Sequence, residues 1–331
     1  MSSLTVSTGA PFARLLSIAS AIPSRVVDNA EMCTYIDSSD EWIQQRTGIV
    51  ERRWVGEGED AESLAMDAAV KAIERAGLAG SDIDAVIVST ISQYKQTPAM
   101  APLLAARLGT NGAAAFDISA ACAGFSYGIA QAEGLVRSGA ATNVLVIGVE
   151  TLSRMTNLAD RTTAFLFADG AGAAVVGPSE SNGIGPVIWG SDGDQAGVIN
   201  QSVDLLDAGN TGTPAVLTME GAAVFRWATG FIADAAKRTL EASGLTPDEL
   251  DVFAPHQANN RITDSMLRHL KLPEKVKVAR TIKTTGNNSA ASIPTALDAM
   301  LASGEAKSGD TALIIGFGAG LVYAGQVIVL P

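Results

Sequence analysis

The 331-residue chain states one structural sentence twice. Ala61 to Ala76 (AESLAMDAAVKAIERA) places apolar residues at helical spacing, ends at Gly77, and passes through a polar turn into the run Ala85-Val86-Ile87-Val88. The same order returns as Val224 to Ala242, then Gly244-Leu245, then Val252-Phe253-Ala254. The connections rhyme as AGLAGSDIDAVIVST and SGLTPDELDVFAPHQ. A second pair follows in each half: helix Gly124 to Gly139 before Val144–Gly148, and helix Ser292 to Gly304 before Ala312–Gly316. An internal duplication of an α/β unit therefore constrains the fold. Near-continuous apolar strands alternating with helices predict mostly parallel sheets covered on both faces. The expected architecture is α/β, two pseudo-symmetric halves packed in alternating helix and sheet layers, with residues 1–180 carrying one copy and 181–331 the other. The Gly/Pro/Ser-rich stretch Gly177–Gly185 marks the join, and Asp207–Pro214 reads as an exposed loop.

Composition removes several classes of function. Lys and Arg number 23 against 35 Asp and Glu, a formal charge of −12 that disfavours nucleic acid as a partner and requires any anionic ligand to meet a local basic patch. Two Cys (Cys33, Cys122) and two His (His256, His269) are too few for a zinc cage or a disulfide framework, so a reducing cytoplasmic setting is the default and no metal is expected. No apolar run reaches the ~20 residues of a membrane span. The stretch Leu15–Ala19 has no basic residue before Arg14 and reads as a first strand, not a secretory signal.

Three residues stand where chemistry would be placed. Cys122, in DISAACAGF, follows a short strand and opens a helix among small residues, where helix amides and dipole favour a thiolate; a buried structural Cys fits the position equally well. His256 ends a strand, the edge at which open α/β sheets hold ligands, although a satisfied rim histidine is the simpler reading of one His alone. Asn287 lies 17 positions before Gly304, as Cys122 lies 17 before Gly139, which predicts that the two are pseudo-symmetry mates; a helix N-cap is the competing reading. The runs Gly316–Gly320 and Asp169–Gly172 do not complete a dinucleotide fingerprint. Strand-end glycines suit either an oxyanion hole or close backbone packing. Trp42 and Arg46, one helical turn apart, can stack on a base and hold a phosphate, or simply pack together.

Taken together, Cys122, His256 and Asn287 resemble the β-ketoacyl-acyl-carrier-protein synthase III family, thiolase-fold enzymes that initiate fatty-acid synthesis. Matching stretches span nearly the whole chain: SSDEWIQQRTGI (38–49), DISAACAGF (117–125), DRTTAFLFADGAGAAV (160–175), HQANNRI (256–262), TGNNSAASIP (285–294) and GFGAGLVYA (316–324). The resemblance implies Cys122 as acyl-accepting nucleophile and His256 with Asn287 as donors to a carrier-bound malonyl thioester. Elongating synthases pair the Cys with two histidines, and thiolases add a second Cys near the C-terminus; this chain has neither. The implied oxyanion hole is the backbone N–H of Cys122 and of Ala319, where some members carry Gly. Phe317 would wall the acyl pocket. Implied coenzyme A contacts are Trp42, Arg46, Arg161 and Asn259, and implied carrier-docking residues are Arg226 and Arg261, which would supply the local positive charge an acidic enzyme needs. Thr97 stands where short-chain members place an aromatic contributed across a homodimer, which implies a roomier pocket for branched or longer primers.

The implied reaction is a decarboxylative condensation of an acyl-CoA primer, acetyl or branched short-chain, with malonyl carrier protein, and it needs no tightly bound cofactor because the CoA thioester is itself substrate. A related synthase priming a polyketide or other secondary pathway, or taking longer acyl-CoA, would keep the same three residues. A cysteine acyl hydrolase would share Cys122 and His256 but release free acid. A noncatalytic paralogue would not acylate.

Overall fold

The computed structural model describes residues 4, 5 and 7–331. Its first five-stranded sheet contains β1 (Phe12–Ala21), β2 (Ala85–Ser89), β3 (Ala114–Ile118), β4 (Val144–Thr151) and β5 (Asp169–Ser179), in the order β1-β5-β4-β2-β3. The second contains β6 (Ile188–Ser191), β7 (Val252–Pro255), β8 (Lys277–Val278), β9 (Thr311–Gly318) and β10 (Val322–Val329), in the order β6-β10-β9-β7-β8. Adding five to each label converts one order into the other. In each sheet a single strand, β5 or β10, runs against the other four. The duplication read from sequence is thus a duplication of topology, strand for strand.

Six helices organise the layers: α1 (Asp40–Thr47), α2 (Ala61–Arg75), α3 (Gly124–Ser138), α4 (Ala233–Ala242), α5 (Asn260–Leu270) and α6 (Ser292–Ser303). The helices α3 and α6 lie between the two sheets. Phe125, Ile129 and Val136 of α3 join Ile293, Leu297 and Met300 of α6 in one core with Ile87 and Val146 of the first sheet and Ala254 and Ile314 of the second. Each fully buried Val, Leu, Ile, Phe or Met side chain here contributes about 1.5–3 kcal/mol relative to exposure. Outside this centre, α2 covers the first sheet with Leu64, Ala68 and Ala72 against Val86, Val88 and Ile147. The opposite face is covered by α4 and α5, with Leu240, Ile262 and Met266 against Phe253, Leu313 and Ile315. Layers therefore alternate helix, sheet, helix, sheet, helix. No helix among the described residues is long and apolar enough to cross a membrane.

Three local expectations change. The predicted loop at 207–214 contains a short exposed helix, Leu205–Thr211, started by the Asp204 side chain accepting from the Asp207 N–H. The predicted helix Val224–Ala242 is interrupted by a π turn at Ala228–Ile232, between helix Gly221–Trp227 and α4. The count of 17 residues that paired Cys122 with Asn287 also fails, because α3 has 15 residues and α6 only 12. Counting back from the closing glycines carries that difference into the site. By geometry, the tight turn Ala121–Ala123 matches the turn Ser289–Ala291, each opening on a residue in the left-handed region (φ 43° at Ala121, 47° at Ser289). Ala290 is the mate of Cys122. Asn287 instead lies in extended backbone bridged to Phe167, its N–H donating to Leu166 O at 2.9 Å.

Candidate active site

The matched turns meet at the centre of the molecule, packed against each other before the helices they start. Glycines permit this approach. A Cβ on Gly316 would lie 2.7 Å from Ala123 Cα, and one on Gly318 would lie 3.0 Å from Cys122 Sγ. The glycine run of β9 therefore serves close packing against the Cys122 turn, with its backbone alongside the sulfur.

A cavity of about 570 Å³ reaches this centre, within the ~300–1,000 Å³ of typical ligand sites. Cys122, His256, Asn287, Phe317 and Gly318 line its inner end; Trp42, Arg46, Arg161, Arg226, Asn259 and Arg261 also line it. The fold thus gathers from both halves a set of anticipated residues that no contiguous stretch supplies. The guanidiniums of Arg46, Arg161, Arg226 and Arg261 are exposed, and none takes part in a salt bridge among the described residues. Four uncommitted cations at one opening stand out on a chain of charge −12.

Local chemistry fixes the walls. The Ser39 side chain caps α1, whose Trp42 ring meets Phe165 edge-on at 5.4 Å while the Arg46 guanidinium lies 5.5 Å from the Trp42 ring centre. Asn259 caps α5 with its Oδ1 and donates from Nδ2 to Arg46 O at 3.0 Å, tying the two walls together. Arg261 stacks over Phe225 at 5.3 Å.

His256 follows β7 directly, with its ring buried and set edge-on to Phe317, 5.3 Å between centres. Burial pushes its pKa down to about 3, so the imidazole is neutral at physiological pH. Its Nδ1 lies 2.7 Å from Ser292 Oγ, which also accepts from the Gln257 N–H at 3.3 Å. With Nδ1 held by Ser292, Nε2 is the ring nitrogen left to face a ligand, and it carries the ring proton in the tautomer in which the Ser292 hydroxyl donates to Nδ1. Asn287 accepts the Ser289 N–H on Oδ1 at 2.9 Å, which leaves its Nδ2 hydrogens for the cavity. The site thus sets an uncharged imidazole and a carboxamide in one cavity with a sulfur.

The thiol departs from expectation. Burial pushes Cys122 up to about 12, with the charge of Glu150 acting in the same direction and the hydroxyl of Ser289 opposing both. Desolvation outweighs the helix start, and the sulfur carries its proton at neutral pH. Two anticipated residues do not line the cavity: Thr97 is exposed on its own chain, and Ala319 follows the lining residue Gly318. Sequence reasoning passed over the apolar lining of Phe165, Met219 and Phe225, and the polar group of Glu150, Ser289 and Ser292. A carboxylate closing the apolar run VLVIGVE was the available signal for Glu150.

Residues 116–193 match the family described as 3-oxoacyl-[acyl-carrier-protein (ACP)] synthase III, and residues 240–330 match its C-terminal family. Over the full length of both chains, the sequence is 55% identical to β-ketoacyl-[acyl-carrier-protein] synthase III 1 of Streptomyces coelicolor. The chain belongs to the β-ketoacyl-acyl-carrier-protein synthase III family. The mycobacterial synthase III of Mycobacterium marinum is 48% identical over 100% of this chain and 99% of its own. Among solved structures, the priming β-ketosynthase of the R1128 polyketide pathway superposes with a TM-score of 0.97 at 44% identity, covering 100% of this chain and 99% of that one. The 3-oxoacyl-(acyl carrier protein) synthase III of Pseudomonas aeruginosa PAO1 gives 0.89 at 36% identity, covering 97% and 98%. Membership makes this synthase an acyltransferase of the condensing type on a thiolase-like fold, as the resemblance of its motifs implied.

Proposed function

We propose that this synthase transfers an acyl group from acyl-CoA to Cys122 and then condenses it with malonyl carrier protein, releasing CoA, CO₂ and a 3-oxoacyl carrier product. The carrying observation is the convergence of Cys122, His256 and Asn287 at the base of a cavity whose opening holds four unpaired arginines. Sulfur attacks the thioester carbonyl, and the backbone N–H groups of Cys122 and Ala319 hold the oxyanion. CoA departs. The malonyl thioester oxygen then accepts from His256 Nε2 and Asn287 Nδ2, loss of CO₂ leaves an enolate stabilised by the same donors, and its carbon attacks acyl-Cys122. Phe317 walls the acyl chain.

Coenzyme A is held by Trp42, Arg46, Arg161 and Asn259, with the ring under the base and the cations at the phosphates. The acidic carrier docks at Arg226 and Arg261. Reversing one docking charge separates the two partners: Arg261→Glu lowers carrier-dependent turnover at least tenfold and leaves acyl-CoA loading within about twofold. Equal loss of both steps in a stopped-time loading and turnover assay would refute the docking assignment.

In a homodimer, the exposed Thr97 faces the partner's acyl pocket and leaves it open to branched or longer primers. Intact mass after incubation with acetyl-, isobutyryl-, isovaleryl-, 2-methylbutyryl- and dodecanoyl-CoA ranks the primers, and a wild-type protein that forms no adduct with any while free CoA stays absent contradicts the proposed reaction. Thr97→Phe lowers the dodecanoyl-to-acetyl loading ratio about tenfold; an unchanged ratio removes Thr97 from the pocket. A second reading, priming of a polyketide pathway, is favoured by the 0.97 superposition on the R1128 enzyme. The chemistry is common to both, and turnover with carrier proteins of each pathway tells them apart.

A further inference from the structure

The proposed acylation needs a group to take the Cys122 proton, and the neutral His256 is held at Nδ1 by Ser292 and is assigned to the malonyl thioester. Behind the sulfur lies another acceptor. Glu150, near the end of β4, is wholly buried, and its partners among the described residues are one backbone N–H and three hydroxyls able to donate: the Ile91 N–H at 3.2 Å, Ser92 Oγ at 2.7 Å, Thr90 Oγ1 at 3.4 Å and Ser289 Oγ at 3.3 Å. Such a cradle suits a carboxylate. Ser289 is the element between: its turn packs against the turn that carries Cys122, and its hydroxyl donates to Glu150 Oε1 at 3.3 Å. Its backbone is held in the left-handed region at φ 47°, which is strained in a residue other than glycine. Strain of that kind concentrates at functional positions.

We propose that Glu150, acting through the Ser289 hydroxyl, is the proton acceptor for Cys122 and stores that proton until condensation returns it. As the S–C bond forms, Sγ–H passes its proton to Ser289 Oγ while the Ser289 proton moves to Glu150, and CoA leaves as thiolate to be protonated by water. Acyl-Cys122 then sits beside a neutral Glu150. When the enolate carbon takes the acyl group, the C–S bond breaks toward sulfur, and the thiolate recovers its proton along the same path. The cycle consumes one solvent proton, the one that ends on CoA. Burial raises the Glu150 carboxyl to about 7, which suits a group that must both take and return a proton near neutral pH.

This inference rests on Cys122 being the acyl acceptor. The test is a double-mutant cycle of Glu150→Gln and Ser289→Ala, read as the single-turnover rate of acyl adduct formation by rapid quench and intact mass. Each single variant loses about 10²-fold in acylation, and the double variant loses no more than the worse single, since all three break one path. Malonyl-carrier decarboxylation, which uses His256 and Asn287, stays within about threefold in every variant and shows that the site is intact. Glu150→Gln or Ser289→Ala acylating within threefold of wild type overturns the proposal, as do losses that multiply in the double variant. If one variant does not fold, the acylation rate of the other decides between the same two outcomes. Failure of wild type to acylate would instead overturn the reaction itself.

Discussion

Cys122→Ala abolishes adduct formation with every acyl-CoA, and Cys122→Ser lowers it by at least about 10³-fold, roughly 4 kcal/mol of barrier. The serine variant keeps size and position but replaces a polarisable sulfur with a hydroxyl that is a far weaker nucleophile at neutral pH. Intact mass and release of free CoA, measured on the same samples, check both. An adduct that persists in Cys122→Ala would place the nucleophile elsewhere. The only other thiol, Cys33, lies on the helix Asn29–Tyr35 outside the cavity lining and packs among the side chains around Met32 and Trp54.

His256→Ala divides the reaction. Decarboxylation of the malonyl carrier falls about 10²–10³-fold, the loss expected for one donor aimed at a developing oxyanion, while Cys122 acylation stays within about fivefold. Because burial holds the imidazole neutral, with a pKa near 3, wild-type decarboxylation is flat in the contribution of His256 between about pH 5 and pH 8. A descending limb near the ordinary histidine value, absent from His256→Ala, would mean that the protonated ring is the working form. Decarboxylation that survives His256→Ala intact would remove His256 from the enolate step.

The fold was legible because it is written twice. Helix Ala61–Arg75 with β2, and α4 with β7, each carry a pattern that one copy alone would leave ambiguous, and the strand order repeats accordingly. The residues that meet in the cavity were legible through motifs, since Cys122, His256 and Asn287 each sit in a short run whose neighbours are small or amide-bearing. What escaped was relation between elements. The two central helices differ in length, so a count along the chain paired Cys122 with Asn287 when the turns pair it with Ala290. Protonation escaped too: a helix start favours a thiolate, but burial of the sulfur acts against it. Ser292 and Glu150 look unremarkable in sequence because their partners, His256 and Ser289, lie 36 and 139 positions away.

The division of the site between two docked copies has a mechanical consequence. The sulfur rides on the turn before α3, whereas the imidazole and the amide are carried by β7 and the segment before α6. Neither half holds a working set of groups, and the shared layer of α3 and α6 is what sets their separation. Under the proposed reaction, catalytic rate is accordingly a gauge of how the halves are seated: a small slip along the α3–α6 seam would silence the chemistry while both sheets kept every one of their hydrogen bonds.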